Sequence, residues 1–235
     1  MIDSAELQKI DKLIANYCSP EWQDILFESA NILHYRTGEL IFKEGQKADN
    51  LYMVKEGKVK VFSSYTKKIE VIVRFCSDGE VIGHRGIGAN FTFSVSGQAL
   101  TDCTVYVFPM DVFRNVLMAN NVFCYYFMLF YAEELRRSEG MRKNMLNMSV
   151  KQRVGLAIQV NMEAFGFSES SPSLLAFTLS KRDMASLANT TYESTIRSLG
   201  ELIDAKLISI KGKQLSILDR EGLSRFIFGV KKNHP

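Results

Sequence analysis

Thr178-Leu-Ser-Lys-Arg-Asp-Met-Ala-Ser-Leu-Ala-Asn189, then Thr190-Thr-Tyr-Glu-Ser-Thr-Ile-Arg-Ser-Leu-Gly-Glu-Leu-Ile-Asp-Ala-Lys-Leu207, then Ile208-Ser-Ile-Lys-Gly-Lys-Gln-Leu-Ser-Ile-Leu218, is the stretch whose reading decides the fold. It predicts two short helices joined by a tight turn and followed by a hairpin. Ser180 with Asp183 three residues on is a helix-start signal. Met184, Leu187 and Ala188 then share one face, and Ala185 is small where two helices must cross. Asn189 suits a left-handed turn position. Thr190 or Thr191 can cap the second helix, and Glu193 completes a Thr-x-x-Glu box from Thr190. Ile196, Leu199, Leu202 and Ile203 form its expected apolar stripe. Tyr192, Glu193, Ser194 and Arg197 fall mostly off that stripe. Residues 208 to 218 read as two alternating strands around Gly212, a wing. A helical hairpin that only packs is the alternative. The turn residue, the polar face and the wing together favour a helix that enters the DNA major groove.

Working outward, charge agrees with that reading. The 235-residue chain carries a net charge of +3. Residues 150 to 235 hold 12 Lys+Arg against 8 Asp+Glu, and residues 1 to 149 hold 17 against 18. The positive excess thus sits with the helix-turn-helix. Lys181, Arg182, Arg197, Lys206, Lys211 and Lys213 are candidates to face phosphates. No apolar run approaches the roughly 18 residues a membrane span needs. No basic region followed by an apolar core opens the chain, so no signal peptide and a cytoplasmic location are expected. Cys18, Cys76, Cys103 and Cys124 are too dispersed for a metal clip and are expected to pack. His34, His84 and His234 show no metal-binding spacing.

Toward the N-terminus, residues 3 to 30 read as helical. Asn31 to about Phe108 then alternates in short runs: 40 to 43, 51 to 54, 58 to 62, 70 to 75 and 104 to 108. Val59 and Val61 point one way, Lys58 and Lys60 the other. Glycines between such runs predict an antiparallel sandwich or barrel. A short helix (111 to 118) leads into a long one. Phe123, Phe127, Phe130, Glu134, Arg137, Met141, Met145 and Met148 recur along it at spacings of three or four. Its first half is apolar all round, so both sides need cover. That favours a dimer helix, with Phe123, Phe127, Phe130, Met141 and Met145 as its expected contacts; burial within one chain is the alternative. A further helix spans 149 to 165 (Val150, Val154, Ala157, Ile158, Met162), and 166 to 173 is expected to be a polar loop.

The order of these segments resembles the Crp/Fnr family of bacterial transcription regulators, over nearly the whole chain. The resemblance rests on Gly38-Glu-Leu-Ile-Phe-Lys-Glu-Gly45, Leu51-Tyr-Met-Val-Lys-Glu-Gly57-Lys-Val-Lys-Val61 and Gly79-Glu-Val-Ile-Gly83. In the second half it rests on Arg182-Asp-Met-Ala-Ser-Leu-Ala-Asn189, Thr191-Tyr-Glu-Ser-Thr-Ile-Arg-Ser-Leu199 and Leu207-Ile-Ser-Ile210. It implies an α+β chain: an N-terminal antiparallel, cupin-like β-roll sensor of the cyclic-nucleotide-binding type (1–118), a dimerisation helix (119–148) and a winged helix-turn-helix (149–235). It implies a homodimer that binds double-stranded DNA, with RNA polymerase as a partner if the protein activates, and no membrane partner. Glu193 and Arg197 match the family's base-reading residues; Thr191 and Ser194 would reach phosphates. Tyr192 replaces the usual Arg, so the operator should differ.

The sensor departs further from the family. Members that bind cyclic AMP carry Gly-Glu-Leu and later Arg-Ser/Thr-Ala, the Glu on the ribose and the Arg on the cyclic phosphate. Here Gly83-His84-Arg85 and Phe93-Ser94-Val95 stand instead. An aromatic ring cannot neutralise a phosphate, so cyclic AMP in the familiar mode is disfavoured. Gly83, His84, Arg85, Phe93, Ser94 and Ser138 remain the candidate effector pocket, with Arg85 as substitute anion partner. No cysteine cluster suits an iron–sulfur centre, and His84 is an unsupported haem ligand. The cofactor stays unknown, and a small apolar or acidic metabolite, or no ligand, stays open. A ligand-binding or cupin-type enzyme module is the competing class, but no nucleophile motif, paired His or carboxylate dyad supports it.

Overall fold

The computed structural model describes residues 3–66 and 69–229; His234 lies outside them. The chain divides into two compact units, residues 1–139 and 140–235. The expected middle segment 119–148 is therefore split between them within a single helix.

The first unit opens with α1 (Ser4–Leu7), α2 (Ile10–Tyr17) and α3 (Pro20–Glu28). Pro20 takes the first turn of α3, where its missing N–H costs nothing. Two four-stranded antiparallel sheets follow. One has the order β1 (Asn31–Tyr35), β8 (Cys103–Pro109), β3 (Asn50–Glu56), β6 (Val81–Ile82). The other has β2 (Leu40–Phe42), β7 (Ser96–Ala99), β4 (Val59–Thr66), β5 (Ile69–Cys76). Inward residues of both sheets make the core: Leu51, Val54, Val59, Val81, Val105 and Phe108 are buried. The five expected strands correspond to β2, β3, β4, β5 and β8. The sequence does not single out β1, whose Ile32 and Leu33 are both exposed and break the alternation. Lys60, expected to point outward, is buried and pairs with Glu70 at 3.3 Å. Cys18, Cys76 and Cys103 are buried as expected, whereas Cys124 is exposed.

Next come α4 (Met110–Ala119) and the long α5 (Asn121–Asn147). Here one expectation is corrected. Phe123, Phe127 and Phe130 are only 0 to 4% exposed within the single chain. Their rings meet Phe113 of α4 or one another, so they close this unit's own core and present nothing to a partner. Their spacing marks the inner face of α5. The uncovered face carries Tyr125, Met128, Ala132 and Leu135. Met141 and Met145, farther along, are half-buried.

The second unit contains the end of α5 and α6 (Val150–Phe165), which starts with a reciprocal Ser149/Gln152 capping box. The expected polar loop after it is instead a hairpin of β9 (Phe167–Ser168) and β10 (Ser171–Leu175). These strands join the wing in a sheet of order β11 (Ile208–Lys211), β12 (Gln214–Ile217), β10, β9. Between them run α7 (Lys181–Leu187) and α8 (Tyr192–Asp204). A final helix, α9 (Arg220–Phe228), begins where Asp219 accepts from the Gly222 amide.

Candidate functional site

The helix pair is fixed at three points. Ser180 Oγ accepts from the Asp183 amide at 3.0 Å and donates to its carboxylate at 2.5 Å. Asn189 takes the left-handed conformation, φ 47°, at the turn. Thr191, not Thr190, caps α8: its hydroxyl oxygen accepts from the Ser194 amide at 3.1 Å. The expected Thr190/Glu193 box is therefore not formed. Thr191 closes the turn, which makes Ser194 the third residue past the cap and leaves Glu193 free.

The buried stripe of α8 also differs from expectation. Thr195, Ser198, Leu199 and Leu202 face inward, while Ile196 and Ile203 are about 40% exposed. Small hydroxyl residues let α8 lie close to α6 and α7. Thr195 satisfies its buried hydroxyl by donating to the Thr191 carbonyl at 3.0 Å. The outer face then carries Tyr192, Glu193, Ile196 and Arg197, all exposed, and Ser194 is half-buried beside the cap. Lys181 and Arg182 are exposed at the start of α7, and Lys206, Lys211 and Lys213 are exposed around the wing. Gly212 turns that wing with φ 60°, in a two-residue loop between Lys211 and Gln214. A capped helix end with free amides, flanked by cations, suits a polyanion.

In the first unit, the six expected pocket residues do not form one site. Phe93 is buried among Phe42 (ring centroids 4.6 Å) and Tyr52 (6.2 Å). Gly83, at φ 79°, lies under this cluster; a Cβ there would stand 3.1 Å from both Phe93 and Tyr52. His84 and Arg85 turn to α5 instead, each 3.7 Å from Glu134 Oε2. Ser94 and Ser138 are exposed. An open groove of about 570 Å³, bordered by His34, Tyr35, Glu39, Glu56 and Asp102, includes none of the six.

Sequence reasoning missed the centre of this region, Arg74. Its guanidinium donates to Glu134 at 2.9 Å, to Glu80 at 3.1 Å and to Gln8 at 3.1 Å. Burial opposes its charge, and the carboxylates of Glu134 and Glu80 beside it more than offset that, raising its pKa. Burial, then Arg74 and Arg85, hold the His84 imidazole well below its ordinary range. Neither ring nitrogen of His84 has a hydrogen bond of normal geometry. The ring packs edge-on to Phe130 at 4.9 Å, and Tyr131 O–H donates to the His84 carbonyl. A visible signal existed: a charged residue at position 134 interrupts the aromatic stripe of α5. Among the described residues no group of three or more His, Cys, Asp or Glu is placed to hold a metal, and no helix is long and apolar enough to cross a membrane.

Comparison with known proteins agrees with these two units. Residues 32–120 match the model of the cyclic nucleotide-binding domain, and residues 157–226 match that of the Crp-like helix-turn-helix domain. Electron transport regulator A of Shewanella oneidensis is 26% identical over 187 residues, covering 80% of this chain and 74% of that protein. A CRP-like cAMP-activated global transcriptional regulator of Mycobacterium tuberculosis is 22% identical, covering 80% and 84%. The structure of FixK2 from Bradyrhizobium japonicum superposes with a TM-score of 0.74 at 20% identity, over 84% of this chain and 96% of that one. With both domains matched in the family's order, the chain belongs to the Crp/Fnr family of transcription regulators.

Proposed function

We propose that this protein is a cytoplasmic homodimer that binds double-stranded DNA in a sequence-specific way, reading it with α8. The observation that carries the reading is the exposed row Tyr192, Glu193, Ile196 and Arg197 on a helix capped by Thr191. Arg197 pairs with guanine O6/N7, Glu193 accepts from cytosine N4, and Ile196 meets a thymine methyl, the side-chain preferences of major-groove readout. Tyr192 gives the operator a contact of its own. Lys181, Arg182, Thr191 and Ser194 hold phosphates and set register rather than sequence. RNA polymerase is a partner if the protein activates.

The dimer is supported by the uncovered seam Tyr125, Met128, Ala132 and Leu135, whose spacing of three and four is that of paired helices. In this reading residues 1–118 sense, 119–148 pair and 149–235 bind DNA. The sensor does not take cyclic AMP in the familiar mode. That is supported by Phe93 stacked where a phosphate partner is required and by His84 turned toward Glu134.

Titration of the full chain with its own promoter DNA tests the reading. Binding should weaken with salt, and Arg197→Ala should cost roughly 1–3 kcal/mol at the operator and little on unrelated duplex. Equal affinity of wild type and Arg197→Ala for every sequence would sink it.

A further inference from the structure

Arg153, on the first turns of α6, lies between the two segments matched by the family models. Its guanidinium donates to three backbone carbonyls: Ala188 at 2.9 Å, Asn189 at 3.3 Å and Met145 at 3.4 Å. Ala188 and Asn189 are the turn before the reading helix, and Met145 is in the last turn of α5. The C-terminal carbonyls of both α5 and α7 lack intrahelical partners and carry the negative end of their dipoles. Among the described residues Arg153 has no carboxylate partner within ion-pair distance, so its cation is committed to these carbonyls.

We infer that Arg153 is a positioning residue that locks the turn of the helix-turn-helix to the end of the long helix. One planar fork of donors caps two helices at once, a geometry an ammonium cannot reproduce. The lock sets the orientation of α8 against the end of α5. In a dimer paired through α5 it therefore fixes the separation of the two reading helices. The inference rests on the homodimeric DNA-binding reading above.

The test uses the full chain and an operator selected by the wild-type protein from a random duplex library. Affinity is measured on that operator, on the operator with one or two base pairs inserted between half-sites, and on a single half-site. The wild type should lose roughly tenfold or more on insertion. Arg153→Gln should bind the native operator more weakly, lose less than about threefold on insertion, and keep the wild-type base preference on the half-site. Arg153→Lys keeps the charge and one carbonyl bond. It should fold like the wild type, with a spacing penalty between the two, so the inference stays testable if Arg153→Gln does not fold. Wild-type spacing penalties in both variants would overturn the inference while leaving the dimer reading intact. No spacing penalty in the wild type itself would overturn the dimer reading, and the inference with it.

Discussion

Arg74 Nη1 on β5 stands 2.9 Å from Glu134 Oε2 on α5, with both side chains about nine-tenths buried. A buried pair is costly to break from one side, although here Arg74 keeps Glu80, at 3.1 Å, as a second counter-ion. Glu134→Ala should lower unfolding free energy by roughly 1.5–3 kcal/mol in a urea titration, the range for losing one hydrogen bond between charged groups. Arg74→Met combined with Glu134→Leu should recover most of that loss, because both charges go together and Glu80 keeps Lys9, at 3.4 Å, as its counter-ion. A double variant as unstable as Glu134→Ala would show that the pair contributes something other than mutual neutralisation.

Acid should weaken the fold through His84. Arg74, Arg85, Glu134 and Tyr131 all face this ring or its backbone. Its folded pKa is depressed, while the unfolded chain takes up the proton near about pH 6.5. Below that pH the unfolded state binds the extra proton, so stability is present above pH ~6.5 and falls as pH drops, by up to about 1.4 kcal/mol per unit. Denaturation midpoints measured from pH 7 to pH 5 should fall less steeply for His84→Gln. Identical slopes would remove His84 from the account.

The cap of α8 separates two adjacent threonines. Thr191→Ala should cost about 1 kcal/mol of stability. Thr190→Ala, which removes no capping bond, should stay within roughly 0.5 kcal/mol of the wild type. Thermal unfolding of the two variants decides which residue closes the turn.

At the DNA surface, charge and shape should act differently. Lys181→Ala and Arg182→Ala should each reduce the slope of log affinity against log salt by about 0.9 and leave base preference intact. Ile196→Ser should instead change which base pair is tolerated at one operator position, with little effect on the salt slope. A salt slope altered by Ile196→Ser and not by the cations would reverse these assignments.

Leu135 and Phe127, both on α5, differ sharply in cover. Leu135 is 61% exposed in the single chain and Phe127 only 4%. Leu135→Glu should leave a folded monomer in sedimentation velocity. Phe127→Ala should cost roughly 3–5 kcal/mol of stability by opening a cavity in the first unit.

The helix-turn-helix was legible because capping and turn chemistry are local: Ser180, Asn189 and Gly212 announce themselves. The face of α8 was harder. Hydropathy assigns Ile196 to the core and Thr195 to water, whereas close helix crossing favours the small hydroxyl, which can bond its own backbone. The same limit applies to α5, where the phenylalanine spacing gives the buried face but not what it is buried against. Arg74 could not be connected to Glu134 from sequence, because 60 residues separate them and only the packing of β5 against α5 makes them partners. The short strands β6 and β9, two residues each, fall below any periodicity.

The Phe42, Tyr52 and Phe93 rings have a consequence for any signal molecule. An occupant attached to the chain never dissociates, so a newcomer between Gly83 and Tyr52 must evict it rather than fill a vacancy. Returning a buried phenylalanine to water costs roughly 1.5–3 kcal/mol. That handicap lowers a ligand's apparent affinity by about ten- to a hundredfold before its first contact is made.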